Sequence, residues 1–360
     1  MSVTQALRRI ATRADIQLAT PLPDLPDNAA SIHSTIRHAS VAVVVRFRPR
    51  AGHEGLPSSS GPNTLEEVLQ QDWIDGNDAD VLLIKRTTRP SDRWSGHVAL
   101  PGGRRDPDDV SDLAVAERET LEEVGLDLDQ HAVYVGPLPR RYVTTHWGGN
   151  IFMILCTYVF VLKTPKPVDL VLQESEVALA FWVPLAELSR KSQQCEFVRP
   201  LMSSSLLALP WLLRPLVKSA VGELRFEGIR ISSRYTYGDD DEDRHAPVIM
   251  WGLTHSIFTD LFDIMYPLKS GYRPRLPGAS RLDTRIVTAL LGKMYFERHA
   301  GRPQTSIWTR SRKSGALTGY VVDRYYHVFE TAVIATLAIR TALGIAVVSA
   351  AYKNLVGGRR

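Results

Sequence analysis

The sequence predicts an α/β fold. Two observations carry this. Apolar runs at residues 39–47, 80–85, 133–138, 150–162 and 178–183 are bounded by polar, Gly or Pro residues, as strands are. Between them, Leu113, Ala116, Thr120 and Val124 follow a helical period. A composition of 44% hydrophobic and 23% charged over 360 residues is globular, with material for one large domain or two ordinary ones. This alternation agrees with the class without selecting one fold inside it.

Residues 1–20 carry Arg8, Arg9 and Arg13 with no acid before Asp15, and Leu7, Ile10 and Ala11 make a weak apolar face. That pattern reads as a short surface helix ahead of the Pro-rich linker at 21–26, or as a mitochondrial presequence. Residues 1–36 are therefore set apart as an extension and linker. ASVAVVVRF at 39–47 is a buried strand, and the Gly, Ser and Pro of 51–64 make a loop. DVLLIK at 80–85 is a second strand, and 86–95 is a polar turn whose Arg86, Arg89 and Arg93 are placed to meet an anion or to remain solvated.

Strands at 133–138 and 150–162 follow. Between them, Arg140 to Trp147 mixes cationic, aromatic and hydroxyl groups, suited to stacking a base or to forming a twisted hairpin. Glu174-Ser175-Glu176-Val177 precedes the strand at 178–183. An insertion is expected at about 190–245, where 206–221 is apolar but broken by Pro210 and Pro215, 224–231 alternates like a strand, and 239–243 (DDDED) is an acidic turn. Residues 248–265 read as a strand end plus an apolar helix, which closes a domain spanning 37–268. Beyond it, 269–360 forms a C-terminal extension with a helix at 284–299.

The tail at 331–352 is 22 residues long with one charge, Arg340. It is long enough to cross a hydrocarbon core of about 30 Å, with Tyr325, Tyr326 and Phe329 before it and Tyr352, Lys353, Arg359 and Arg360 at its end. Arg340 near the middle opposes insertion by roughly 2.5–3.5 kcal/mol on insertion scales. A membrane anchor facing the cytosol and a hydrophobic docking helix are both compatible with it. A net charge of +4 without a basic run interleaved with aromatics gives no argument for a nucleic-acid surface, and none is expected. Cys156 and Cys195 form neither a disulfide framework nor a zinc motif, consistent with an intracellular, reducing compartment.

The chemistry concentrates in 101–126, PGGRRDPDDVSDLAVAERETLEEVGL. On a helix, Glu119, Glu122 and Glu123 share one face, and Gly125 lies where a left-handed cap would end it. Three like charges on one face repel, so the helix needs a reason to carry them. Hard oxygen ligands in a cluster suit Mg²⁺ or Mn²⁺.

This segment resembles the Nudix hydrolase box, G-x5-E-x7-R-E-U-x-E-E-x-G-U with U a bulky aliphatic. Arg118 to Leu126 match its second half except for Thr120 at a U position. Gly103 stands one residue further from Arg118 than the pattern asks, and no Glu fills the intermediate position, for which Asp109 and Asp112 are candidates. The longer spacing with GGRRD is similar to the coenzyme A pyrophosphatase branch. That branch reads H-x-G-Q-V-x-F-P-G-G before the box, where this chain has Trp94-Ser95-Gly96-His97-Val98-Ala99-Leu100-Pro101. The Trp251-Gly252-x-Thr254 stretch is similar to one that closes the domain in those proteins.

The resemblance implies a Nudix αβα sandwich, a mixed sheet lying between helices, and a metal-dependent hydrolase of a diphosphate linked to another group. It implies Glu119, Glu122 and Glu123 as ligands of Mg²⁺ or Mn²⁺, with Glu122 or Glu123 orienting the water and a Gly102 carbonyl completing the set. Gly103, Arg118 and Gly125 are structural, Arg118 pairing with Asp109 or Asp112. Arg86, Arg104, Arg105 and Glu176 are candidate substrate contacts, Glu176 as an additional acid near the metal. The substrate implied is a nucleoside diphosphate derivative, coenzyme A or acyl-coenzyme A first, a nucleotide sugar or dinucleotide next. A non-catalytic Nudix-like binding module is the alternative outside the enzymes.

Overall fold

The structure, a computed structural model, describes residues 2–18, 36–49, 62–89, 95–144, 151–165, 168–190, 193–200, 210–237, 248–265, 278–299 and 318–357. Arg93, Thr145 to Trp147, the acidic run at 239–243 and most of the 51–64 loop lie outside them. So do the side chains of Tyr325 and Tyr326.

A seven-stranded sheet is built from β1 (Arg37–Pro49), β2 (Ile74–Arg86), β3 (Val98–Ala99), β4 (Gly102–Arg104), β5 (Ala132–Thr144), β6 (Ile151–Leu162) and β7 (Val177–Pro184). Its order is β3-β2-β1-β6-β5, with β4 also on β1 and β7 on β2. Only β1 and β6 run parallel among these pairs, Val43 opposite Val159, so the sheet is mixed.

Alternation along the strands feeds two faces. Val43, Val45 and Leu83 pack with Leu7 and Ile10 of α1 (Val3–Leu18), while Ala42, Val44, Leu82 and Ile84 pack under α3 (Asp112–Val124). Helices α2 (Leu65–Leu69), α4 (Leu128–His131) and α5 (Leu185–Leu188) are short connections.

Three boundaries differ from the sequence reading. First, α1 is no loose surface element. Val3, Ala6, Leu7 and Ile10 are buried, and Gly136 on β5 leaves so little room that a Cβ there would stand 3.2 Å from the Ile10 carbonyl oxygen. Arg8, Arg9 and the polar linker beyond mask this packing in the sequence.

Second, β5 runs on through Thr144, so Arg140 to Thr144 form strand rather than connection. Arg141 is buried and ion-paired with Asp260 of α8 (Gly252–Met265), also donating to the Ser256 carbonyl. A cation inside a strand, with register shifts at Tyr134/Gly136 and Leu138/Arg141, breaks the alternation that sequence reading relies on.

Third, the described residues of 190–245, expected as an insertion, share a sheet with strands that follow them in the chain. Their β8 (Gln194–Pro200) and β9 (Glu223–Ile231) form a second sheet with β10 (Val248–Trp251) and β11 (Gly278–Ala279), which carries it past residue 268. Ile229, Ile231 and Met250 join the main core. Between these strands lie α6 (Arg214–Val221) and α7 (Arg234–Tyr237). Helices α9 (Leu282–His299) and α10 (Thr318–Gly357) follow, and Ala220, Val221, Ala279, Phe329 and Val333 make a third, smaller core.

Candidate active site

The helix α3 is fixed at both ends. Ser111 caps it by accepting from the Ala114 N–H at 3.1 Å. Gly125 closes it in the left-handed region, φ 69°, donating to the Leu121 carbonyl. Thr120 fills its aliphatic position at no polar cost, because its hydroxyl donates to the Ala116 carbonyl at 2.6 Å.

The carboxylates then sort by depth. Glu123 is 1% exposed. Its Oε2 accepts from the Gly102 N–H at 2.9 Å, and Arg86 Nη1 stands 3.8 Å from Oε1. Burial pushes its carboxyl up to about 7; Gly102 and Arg86 oppose the rise, while Glu119 and Glu176 add to it. Glu119 is pushed up by burial as well, against the pull of Arg118, with Glu122 and Glu176 adding to the rise. Its carboxylate lies so close to Gly103 that a Cβ there would come within 2.3 Å of Cδ. Gly102, at φ 146°, would set a Cβ 2.2 Å from the Ser40 carbonyl oxygen. Both glycines are required by close approach.

Thus Glu119 and Glu123 close on the Gly102-Gly103 strand, and the charge of Glu176 reaches both acids. Glu122 stands at the rim, its side chain half exposed and bound to Arg118 Nη1 at 2.9 Å.

Arg118 is held on several sides. It makes a two-pronged contact with Asp109 (Nε to Oδ1 and Nη2 to Oδ2, each 3.0 Å) and also donates to the Arg104 carbonyl at 3.2 Å. Asp109 is drawn below the usual carboxylate range, chiefly by that guanidinium. The clamp ties the 104–109 loop to the helix. Arg105 is turned to structural partners, Asp112 at 3.2 Å and the Asp109 carbonyl at 3.1 Å. Arg104 is exposed beside the site.

Sequence reading missed a polar cluster under the first turn of α3. His38 Nδ1 lies 3.0 Å from Asp112 Oδ1, and the Cys156 thiol donates to Asp112 Oδ2 at 3.4 Å. Their ligand atoms are close enough for a metal, yet Arg105 and Arg140 already bring positive charge to Asp112. Burial pushes the Cys156 thiol up to about 12, with Asp112 adding to it, so it stays protonated. The cluster pins the helix start. His38, at the polar head of an apolar run, was its only signal.

The second sheet also reaches the site. Thr254 donates to the Val98 carbonyl at 3.1 Å and Trp251 meets the His97 ring edge-on at 4.7 Å, while the His97 carbonyl accepts from the Arg86 N–H. The Trp-Gly-x-Thr stretch therefore braces the strand that enters the box.

Residues 73–203 match the NUDIX domain. The uncharacterized protein C14C4.10c of Schizosaccharomyces pombe is 37% identical over 273 residues, 72% of this chain and 76% of the relative. The peroxisomal coenzyme A diphosphatase ndx-8 of Caenorhabditis elegans is 27% identical, over 34% of this chain and 50% of its own. The mitochondrial coenzyme A diphosphatase NUDT8 of Mus musculus is 41% identical over 54 residues, 15% of this chain and 26% of its own. With the box helix, its glycine turn and its acids assembled on one mixed sheet, the chain belongs to the Nudix hydrolases, enzymes that cleave diphosphate linkages.

Proposed function

We propose that this chain hydrolyses coenzyme A or an acyl-coenzyme A, adding water across the diphosphate to give a phosphopantetheine and adenosine 3′,5′-bisphosphate. The observation that supports this reading is that Glu119 closes on Gly103 and Glu123 on Gly102, with the charge of Glu176 reaching both acids. The carboxyls of Glu119 and Glu123, both pushed up by burial and by neighbouring negative charge, form a hard-oxygen donor set suited to Mg²⁺ or Mn²⁺. Glu119, Glu123, Glu122 from the rim and the Gly102 carbonyl are the proposed ligands. When bound, the cation neutralises diphosphate charge and acidifies a water.

The chain's own residues supply the rest. Glu123 spends Oε2 on the Gly102 N–H and keeps Oε1 to orient the attacking water or accept its proton. Arg86 and Arg104 are proposed to meet the phosphates. Glu176 is proposed as the further acid beside them, and Arg105 acts through Asp112.

The coenzyme A reading is supported by the lengthened Gly103–Arg118 spacing, by GGRRD, and by relatives named as coenzyme A diphosphatases. The test is a panel of coenzyme A, acetyl-coenzyme A, ADP-ribose and diadenosine polyphosphates with Mg²⁺ or Mn²⁺, products separated by chromatography. Cleavage of the first two alone is expected. Cleavage of the last two alone assigns a nucleotide-sugar or dinucleotide substrate, and binding without turnover assigns a non-catalytic module.

We also propose an intracellular location on a membrane, reached through α10. Its Val328–Asn354 stretch is apolar enough to enter a bilayer, and most of its apolar part is left uncovered by the protein. Carbonate extraction tests this, and full release into the supernatant overturns it in favour of a soluble cytoplasmic or mitochondrial enzyme.

A further inference from the structure

We infer that the bilayer begins at Arg340. The segment Thr341–Tyr352 inserts, and the corner of the protein made by α6 and α9 sits on the anionic headgroups. This rests on the membrane location proposed above and says which part of α10 belongs to protein and which to lipid.

Up to Arg340, α10 behaves as a packed helix. Val328, Phe329, Ala332, Val333 and Thr336 are buried at helical spacing, Phe329 and Val333 packing on Ala220, Val221 and Ala279. Arg340 ends this contact. Its Nε and Nη2 each lie 2.7 Å from Asp283 Oδ2, and its Nη1 donates to the Ser219 carbonyl at 3.0 Å and hydroxyl at 2.9 Å. A guanidinium bound in this way holds α10 to the body. Drawing 331–340 into lipid would break both contacts.

From Thr341 to Asn354 every residue is exposed. Leu343, Ile345, Val347 and Val348 are each more than 60% exposed, and at about 100° per residue they face different sides of the helix. A helix apolar all round is covered all round, which one face of a second protein copy would not achieve. The twelve residues of Thr341–Tyr352 rise about 18 Å. Arg340 lies at the near headgroups; because about 18 Å is less than the core of about 30 Å, reaching the far headgroups takes the last helical residues up to Gly357, snorkelling of Lys353 and local thinning.

The surroundings of Arg340 match a headgroup layer. Leu282 adjoins Asp283, Ile286 lies one turn on, and Leu216 lies one turn before Ser219; each is at least half exposed. Lys218, Arg281 and Arg285 are exposed beside them. Apolar side chains ringed by cations suit an anionic lipid surface.

The experiment uses full-length protein made cell-free with phosphatidylcholine vesicles containing one-fifth phosphatidylserine. A fluorescent label is placed at Ile334→Cys or Val347→Cys in a Cys195→Ser background. We expect co-flotation, strong quenching by brominated lipid at position 347 and near none at 334. Lys218→Glu, Arg281→Glu and Arg285→Glu together should lower flotation at least tenfold while hydrolysis of soluble substrate is kept, which reports intact folding. Equal quenching at both positions overturns the boundary and leaves the membrane location standing. Absence of flotation overturns both. Self-association without vesicles that Val348→Lys abolishes, together with absence of quenching at 347, assigns the surface to a second copy and overturns the inference.

Discussion

The Gly102 backbone N–H donates to Glu123 Oε2 at 2.9 Å, joining the strand before the box to the last turn of its helix. One bond thus positions the deepest acid of the site and orders the glycine turn against it. It accounts for only part of the electrostatics, since burial still holds the Glu123 carboxyl at about 7.

That value predicts a pH-dependent stability in metal-free protein. Glu123 holds its proton in the folded state up to about 7, whereas an unfolded glutamate releases it near 4.5. Between those pH values the folded state binds more protons, so stability falls as pH rises and then levels off. Glu123→Gln carries no such penalty and can still accept from Gly102. In chelator, the variant should gain on the parent between pH 5 and pH 8, by about 3 kcal/mol at most. Urea midpoints at the two pH values measure it; an equal difference at both would contradict the assignment. In the presence of Mg²⁺ the same variant, like Glu122→Gln, should lose turnover by orders of magnitude.

Gly103→Ala tests the close approach to Glu119. The added methyl would meet the carboxylate at 2.3–2.4 Å, and the backbone needs no special φ there, so Glu119 must swing away. Turnover should fall about a hundredfold or more, as misplacement of one catalytic group does, with little change in Tm. Adding Glu119→Ala to Gly103→Ala should cost little further, because one side chain is displaced in both. Additive losses would mean that Gly103 acts elsewhere.

How much of this was legible follows from the range of each signal. The α3 helix, its caps and its acids are local, and 3.6-residue spacing with a terminal glycine is enough to read them. Neither the depth of Glu123 nor the rim position of Glu122 is local. Both follow from which side of α3 meets Ala42, Val44 and Leu82. The pairing of Arg141 with Asp260 spans 119 residues, and no periodicity encodes it. The second sheet was hidden for a similar reason, since β9 finds partners before and after it in the chain.

Arg118→Lys separates clamp from charge. Lysine keeps one cation but loses the planar fork that meets Asp109 at two points and the Arg104 carbonyl at a third. The 104–109 loop should loosen, seen as faster amide exchange at 105–109, with a stability loss of about 1–3 kcal/mol. Turnover should fall through misplaced Glu119 and Glu122, both of which contact Arg118. Unchanged exchange in the loop would remove the clamp role.

The N-terminal helix yields the last prediction. Leu7 and Ile10 are 2% and 0% exposed and pack in the main core with Val43, Val45 and Leu83. Truncation of a fully buried Leu or Ile to Ala leaves a cavity and costs about 2–5 kcal/mol, a large share of a typical domain's 5–15 kcal/mol. Leu7→Ala and Ile10→Ala should each lower the urea midpoint by that measure. Arg8→Ala should move it by less than about 1 kcal/mol, because the Arg8–Glu66 pair at 2.9 Å is exposed. The contrast bears on targeting. A presequence is removed after import and contributes nothing to the mature core, so its apolar residues tolerate alanine in the folded enzyme. Midpoints unchanged by Leu7→Ala and Ile10→Ala, together with reporter import by residues 1–30, would make this segment a signal. Large losses with a diffuse cytosolic reporter make α1 a permanent part of the fold.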